Sequence, residues 1–385
     1  MRAHAPRPRV MECPAVRRRA SQRVLFRPPS IAAAVTTTTP FDLSTLLPRL
    51  GRVGARHPLV ALRLLERLEQ ARRGANDIAG AIDVLCQRFQ GLEHRGRALE
   101  LRAALEQAAD EALAGDLSAQ VAKVAEALGR VAYQQGNYFD AHEQWSRALT
   151  YSDMTGEERV AALALIGLGQ VYYAMEAWNS GLRFHKDAAL RVGRLDDTHL
   201  SAKLSLNIGV GHFEMGQITD AERHFTHGLA AAKRGLHHEF EGEAHWHLAR
   251  TALVRGDVQR AVADCRLALD IAGRIDHVWL QAAAGRTWIE IAIARGDEEG
   301  AIRSAEHGLE LARRIESKPL QSQAHRQLAR LLEQRGMFPE ALQHLWKHVE
   351  LQSELNSAAP GKHLSAIEHR EGTRLQPATH WAIVR

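Results

Sequence analysis

Cysteine is scarce in this chain of 385 residues, and its three copies, Cys13, Cys86 and Cys265, lie far apart. An odd and scattered set excludes a disulfide framework and a cysteine-based zinc site, and it is typical of a reducing compartment. No apolar run approaches the roughly 20 residues that a membrane-spanning helix needs. Aromatic residues make up only 5% of the chain, whereas Ala, Leu, Arg and Glu are abundant, which favours helices. We therefore expect an all-α protein of the cytoplasm that does not enter a membrane.

Acidic residues are nearly missing from positions 1–30, where eight arginines face one acid, Glu12. The net charge of this segment is +7, whereas that of the whole chain is +5. Residues 31–385 therefore have a net charge of −2. Because the body is almost neutral, we do not expect nucleic acid as its partner. We interpret residues 1–40 as a disordered basic tail. Several interpretations of this tail stay open. It could be a twin-arginine-like export signal, an organelle transit peptide, a basic arm, a plain solvated tail or an extension from a misplaced start codon.

A repeat with a period of 40 residues dominates the remainder. In most copies a small residue is followed by a glycine seven positions later, and a second small residue comes five positions after that glycine. A bulky residue follows four positions later, and a third small residue comes three positions after the bulky one. The copies begin at Gly129, Gly169, Gly209, Ala249, Ile289 and Ala329, without insertions. Such self-similarity indicates a helical solenoid in which each unit stacks on the next.

The physical role of each repeated position follows from helix geometry. The glycine, as in Gly136 and Gly256, separates two apolar helical patterns and predicts a turn with positive φ. Asn137 and its equivalents Asp257 and Asp297 suit the N-cap of the second helix. The small residues predict close helix packing, and a bulky residue such as Trp145 then fills the core. The second copy has Glu176 instead of glycine, which predicts either a distorted turn or a turn made with an ordinary residue.

This spacing resembles the tetratricopeptide repeat over about residues 119–350, although that repeat usually has about 34 residues. The resemblance implies a right-handed superhelical solenoid of antiparallel helix pairs, with six repeats in residues 119–357. Residues 41–118 carry helical apolar stripes and a degenerate copy around Gly96, and we expect capping helices there. We interpret residues 358–385 as a tail, with a short helix at His363–Arg370.

The segment from Leu342 to Arg370 is loosely similar to the end of sensor arrays in bacterial signalling proteins. In those proteins a last helix leads into an output module such as a diguanylate cyclase. The sequence has no such module, so this resemblance implies a free-standing relative of the sensor.

No phosphate-binding loop, dinucleotide fingerprint, nucleophile elbow or HExxH motif is present, so we predict no enzyme activity, no cofactor and no metal. The chain has 21 histidines, and the densest group is His237, His238, His245 and His247 with Glu241. Three of these side chains would share a helix face at i, i+4 and i+8, which suits a metal ion. We expect the helix to begin inside this group, which would break that geometry.

A solenoid of helix pairs has a concave face formed by the first helix of each pair. Projecting the register onto that face gives an apolar centre and a basic C-terminal end, a mixture that binding sites favour. The residues predicted to contact a partner are Arg130, Tyr133, Tyr173, Phe213, Trp246, Arg250, Arg286, Arg326 and Arg330. The alternative is that Tyr173 and Phe213 pack between repeats while the arginines pair with Glu290 and Glu333.

The sequence therefore predicts a non-catalytic scaffold or adaptor that binds a protein or peptide, with an acidic end, on the concave face. An alternative is a sensory module that acts on a separately made signalling enzyme such as a diguanylate cyclase. A third possibility, an enzyme with a site at the histidine group, depends on bound metal.

Overall fold

The computed structural model describes residues 58–93 and 95–357, and the regular structure in these ranges is helical. The α-helices are α1 (Pro58–Gly74), α2 (Ile78–Glu93), α3 (Arg102–Ala114), α4 (Ser118–Gln134), α5 (Tyr138–Thr155), α6 (Glu158–Ala174), α7 (Trp178–Val192), α8 (Thr198–Glu214), α9 (Ile218–Gly235), α10 (His238–Val254), α11 (Val258–Arg274), α12 (Val278–Ala294), α13 (Glu298–Arg314), α14 (Lys318–Gln334) and α15 (Phe338–Ser357). A 3₁₀ turn, Ala98–Leu101, precedes α3.

Helices α2 to α15 form pairs with two layers. We call the first helix of each pair (α2, α4, α6, α8, α10, α12, α14) an inner helix and its partner an outer helix. Each outer helix packs against the inner helix before it and, except for α15, the last described helix, against the inner helix after it. Neighbouring inner helices also touch one another. The prediction of an all-α, right-handed superhelical solenoid of antiparallel helix pairs is confirmed.

The turns inside the pairs have the conformation that the glycines predict. Gly136 and Gly256 both have φ of 79°, a left-handed value that costs glycine little. Glu176 adopts φ of 59° at the same place, so an ordinary residue makes this turn at an energetic cost. The predicted N-caps are also present, since Asp257 Oδ1 accepts a hydrogen bond from the backbone N–H of Arg260 at 3.0 Å.

Small residues on inner helices receive bulky side chains from outer helices, as predicted. A Cβ atom at Gly129 would lie 2.7 Å from the ring of Trp145, and one at Gly209 would lie 2.5 Å from Phe225. Both aromatic residues are fully buried. Burying such a side chain stabilises the fold by roughly 1.5–3 kcal/mol, so this repeated contact contributes to the core of each pair.

The superhelix closes on itself, because turns near its N-terminal end touch helices near its C-terminal end. Gly96 lies against the side chain of Ile315. A Cβ atom at Gly136 would lie 2.5 Å from Leu355 Cδ2 and 3.3 Å from Pro319 Cγ. A cleft of about 580 Å³ lies beside this contact, between the α4–α5 turn and helices α14 and α15. The inner helices therefore surround a central space, which we call the lumen.

The helical stripes predicted in residues 41–118 correspond to α1, α2 and α3 in the described range. Gly96 has φ of 70°, and α2 and α3 begin 40 and 36 residues before α4 and α5. The degenerate copy therefore forms a helix pair of the same type. The predicted tails, residues 1–40 and 358–385, and the predicted helix at His363–Arg370 lie outside the described residues.

Candidate functional site

The inner helices place the predicted partner-binding residues in or near the lumen, but in three different environments. Arg130, Arg250 and Arg286 are held by polar neighbours. Tyr173 and Trp246 are buried, and Tyr133 and Phe213 are half-buried. Arg326 and Arg330 are exposed.

Arg130 on α4 is fixed by carboxylates from two inner helices. It forms an ion pair with Glu93 of α2, and its Nε lies 3.1 Å from Glu126 Oε1. Gln134 Nε2 donates a hydrogen bond to Glu93 Oε1 at 3.0 Å. Burial opposes the charge on Arg130, but Glu126 and Glu93 outweigh it and raise its pKa. This group links α2 to α4 and leaves little of the guanidinium free for a partner.

Arg250 on α10 lies between two aromatic rings. Its Cζ is 4.2 Å from the ring centre of Phe213 on α8 and 5.5 Å from that of Trp246. Its Nη2 donates to Glu214 Oε1 at 2.7 Å. Cation–π contacts and an ion pair therefore hold the guanidinium in place, so that it lines the inner face in one orientation.

Two of the predicted aromatic residues belong to the interior. Tyr173 is only 6% exposed, and its hydroxyl lies 3.1 Å from His185 Nδ1 on α7. Trp246 is also 6% exposed, and its Nε1 donates to Thr287 Oγ1 on α12 at 2.9 Å. Tyr133 packs against Tyr138 and Trp145, with ring centres 5.5 and 5.7 Å away. These three residues join helices to one another.

The basic end of the inner face is more open. Burial, reinforced by Arg250, lowers the pKa of Arg286 to about 10, and Arg286 hydrogen-bonds to Gln323 of α14. Arg326 and Arg330 lie on α14, and neither forms an ion pair with another described residue. The pairing of these two arginines with Glu333 does not occur within residues 58–93 and 95–357.

The histidine group is divided among separate contacts. Helix α10 begins at His238, inside the group, as expected. His238 Nδ1 lies 3.1 Å from Glu241 Oε2, whereas His245 Nδ1 lies 2.8 Å from Asp264 Oδ1 on α11. His247 stacks on Phe225 with ring centres 4.6 Å apart. Within the described ranges no three His, Cys, Asp or Glu side chains come together as metal ligands.

Two charged residues of the inner face, Lys203 on α8 and Glu243 on α10, were not in the predicted site. They lie six positions before the small residue of their repeats. The positions three and six residues before that small residue lie on the same helix face. Extending the projection by one helical turn would therefore have found Lys203 and Glu243. Burial lowers the pKa of Lys203 and raises that of Glu243 to about 8.

The chain was compared with known families, curated proteins and solved structures. No family model matches, and no curated protein matches. The Cut9–Hcn1 hetero-tetramer of APC/C is similar with a TM-score of 0.55 and 15% identity, over 81% of this chain and 52% of that one. This chain therefore spans about half the length of that neighbour.

Two Rap structures are similar at nearly the same level. The Rap protein complexed with competence and sporulation factor has a TM-score of 0.51 and 14% identity, covering 77% of this chain and 76% of that one. The Rap conjugation gene regulator of plasmid pLS20, in complex with the Phr* peptide, has a TM-score of 0.51 and 14% identity, covering 81% and 80%. At such low identity these likenesses concern the fold alone. The chain has the fold of a tetratricopeptide-like helical solenoid.

Proposed function

We propose that the protein is a non-catalytic scaffold or adaptor of the cytoplasm that binds an extended segment of a partner protein along its inner face. The observation that carries this proposal is the pair of exposed arginines on α14, Arg326 and Arg330, which have no ion-pair partner among the described residues. Arginine forks bind carboxylates in two-point contacts, so we expect an acidic end of the partner to lie against α14.

The closed superhelix supports an extended partner. Gly96 and Gly136 touch residues more than 200 positions later, so the lumen is bounded by inner helices on all sides. A single extended chain needs less room than a folded domain to reach Arg250 and Phe213 inside such a space. One similar Rap structure contains competence and sporulation factor and the other contains the Phr* peptide, and the peptide complex is consistent with this class of partner.

A pull-down from the native lysate tests this proposal. Arg326→Glu/Arg330→Glu reverses the charge of the open end, and Arg274→Glu/Arg303→Glu is the matched control on outer helices α11 and α13. We expect the first variant to lose a specific partner that the wild type and the control retain, with unchanged helical circular dichroism. Equal partner lists for all three proteins would contradict binding on the inner face.

The alternative, a sensory module acting on a separate signalling enzyme, is favoured by one further observation. Outer helix α15 exposes Leu342, Leu345 and Trp346 by 53%, 46% and 66%. The residue equivalent to Leu345 is buried in earlier pairs, as for Trp145 and Phe225. An apolar stripe of this kind is typical of a contact surface. Under this alternative, Trp346→Glu would abolish an effect on the signalling enzyme while ligand binding in the lumen persists.

A further inference from the structure

Lys203 and Glu243 occupy the same position in consecutive repeats, 40 residues apart, on the adjacent inner helices α8 and α10. Both side chains are half-buried. Neither side chain makes a hydrogen bond or an ion pair with a described residue, and the two groups attract each other only through longer-range electrostatics. A basic and an acidic group thus line the lumen on adjacent inner helices without contacting each other.

The same position elsewhere in the chain provides an internal comparison. Asp83 on α2 and Lys123 on α4 are also 40 residues apart, and Lys123 Nζ lies 3.1 Å from Asp83 Oδ1. Lys123 Nζ is also 3.5 Å from Glu157 Oε1. Neighbouring inner helices therefore allow an ion pair at this position. At α8 and α10 the charges are present but the pair is not formed.

The other charges near Lys203 and Glu243 do not replace the missing partner. Lys203 is influenced by Arg130, Glu126 and Glu93, which already pair with one another across α2 and α4. Burial disfavours the ionised form of Glu243, and the attraction of Lys203 does not offset burial together with the like charges of Glu239 and Glu93. Burial disfavours the charged form of both side chains while they have no partner, so a group of opposite charge on a ligand would stabilise that charged form.

Resting on the proposed function, we infer that Lys203 and Glu243 form a two-point subsite for a mixed-charge segment of an extended peptide. The carboxylate of an acidic residue binds Lys203, and the ammonium or guanidinium of a basic residue binds Glu243. In an extended chain, side chains two residues apart point to the same side and are separated by roughly 7 Å. Packed helices lie about 8–10 Å apart, so residues i and i+2 of the peptide match the two inner helices.

The test uses a library of 12-residue peptides with randomised flanks around a Glu-x-Lys, Lys-x-Glu or Ala-x-Ala core, selected on the full-length protein. We expect one mixed-charge core to be enriched over Ala-x-Ala. Lys203→Met and Glu243→Gln each reduce that enrichment about tenfold, the loss of one charged hydrogen bond. The matched controls Asp83→Asn and Lys123→Met, which alter the satisfied pair at the same position, retain the enrichment.

Thermal unfolding adds a readout that does not depend on binding. Removal of a partly desolvated ionisable group that has no partner raises the Tm for Lys203→Met and Glu243→Gln, whereas loss of the ion pair lowers it for Lys123→Met. Enrichment of peptides regardless of core, with Arg326→Glu/Arg330→Glu abolishing it, would overturn this subsite and leave the proposed function intact. Absence of enrichment for every core would overturn the subsite, while the pull-down judges the proposed function separately.

Discussion

Tyr173 Oη lies 3.1 Å from His185 Nδ1 inside the α6–α7 pair. His185 Nε2 lies 3.2 Å from the carbonyl oxygen of Ile166, so this nitrogen donates, and Nδ1 of the neutral ring accepts from the Tyr173 hydroxyl. Burial lowers the pKa of His185 to about 4, which keeps the ring neutral. The repeat that follows has Phe213 and Phe225 at these two positions.

We expect Tyr173→Phe/His185→Phe to unfold at nearly the wild-type urea concentration at pH 7, because it copies the pair in the next repeat. His185→Phe alone leaves the buried Tyr173 hydroxyl without an acceptor and costs about 1–3 kcal/mol. Urea titrations of the two variants measure this difference. A double variant that is less stable than the single variant would show that the hydrogen bond is not what joins the two residues.

The same histidine predicts an acid-sensitive fold. Its folded pKa of about 4 is below the unfolded value of 6.5, so the unfolded chain binds a proton first as pH falls. This contribution to stability is complete above pH 6.5 and is lost between 6.5 and 4. The Tyr173→Phe/His185→Phe variant should therefore lose less stability than the wild type between pH 7 and pH 5. Equal losses of stability in the two proteins would contradict a buried, neutral His185.

For Glu243 we expect stability to change with pH in the opposite direction. Its folded pKa of about 8 lies above the unfolded value of 4.5, so the folded protein retains a proton that the unfolded chain releases. The stability is fully present below pH 4.5 and falls as pH rises towards 8. Glu243→Gln removes this fall, and unfolding between pH 5 and pH 8 measures it. An unchanged slope in the variant would show that Glu243 is ionised in the fold.

Turn geometry predicts a stabilising change at Glu176, which is exposed and has φ of 59°. Glu176→Gly relieves the left-handed strain and should stabilise the fold by about 1 kcal/mol. The reciprocal control is Gly216→Ala, where φ is 75° and no atom lies within 4 Å of an added Cβ. It should destabilise by a similar amount. A destabilised Glu176→Gly would mean that the Glu176 side chain has contacts that outweigh the strain.

Closure of the superhelix is tested by Gly136→Leu against Gly256→Leu. Both glycines have φ of 79°, but only Gly136 faces other residues, Leu355 and Pro319. Leu236 shows that leucine can adopt such a turn, at φ of 56°. We expect both variants to lose similar turn stability, while only Gly136→Leu expands the radius of gyration in small-angle scattering. Identical scattering from both would contradict closure in solution.

Much of the fold could be predicted because its determinants are local and repeated. Positive φ at Gly136, a cap at Asp257 and the contact of Trp145 with Gly129 each depend on residues within one helix pair. Because these residues recur every 40 positions, the alignment of the repeats is clear even where Glu176 stands in place of glycine.

The site was harder to predict because it depends on neighbouring repeats. Tyr173 turns inward because Gly211 of the next inner helix leaves room for its hydroxyl. The partner of Arg130, Glu93, lies 37 residues earlier on another helix. Closure of Gly136 onto Leu355 results from small angles summed over many pairs, which no local pattern encodes.

Binding of a partner inside the superhelix can be tested by site-specific photo-crosslinking. Benzoylphenylalanine replaces either Phe213 on inner helix α8 or Leu190, which is 69% exposed on outer helix α7. Both proteins are irradiated in the native lysate. We predict a discrete crosslinked partner from position 213 that is missing from position 190 and disappears with Arg326→Glu/Arg330→Glu. A partner captured from position 190 and not from position 213 would contradict binding in the lumen.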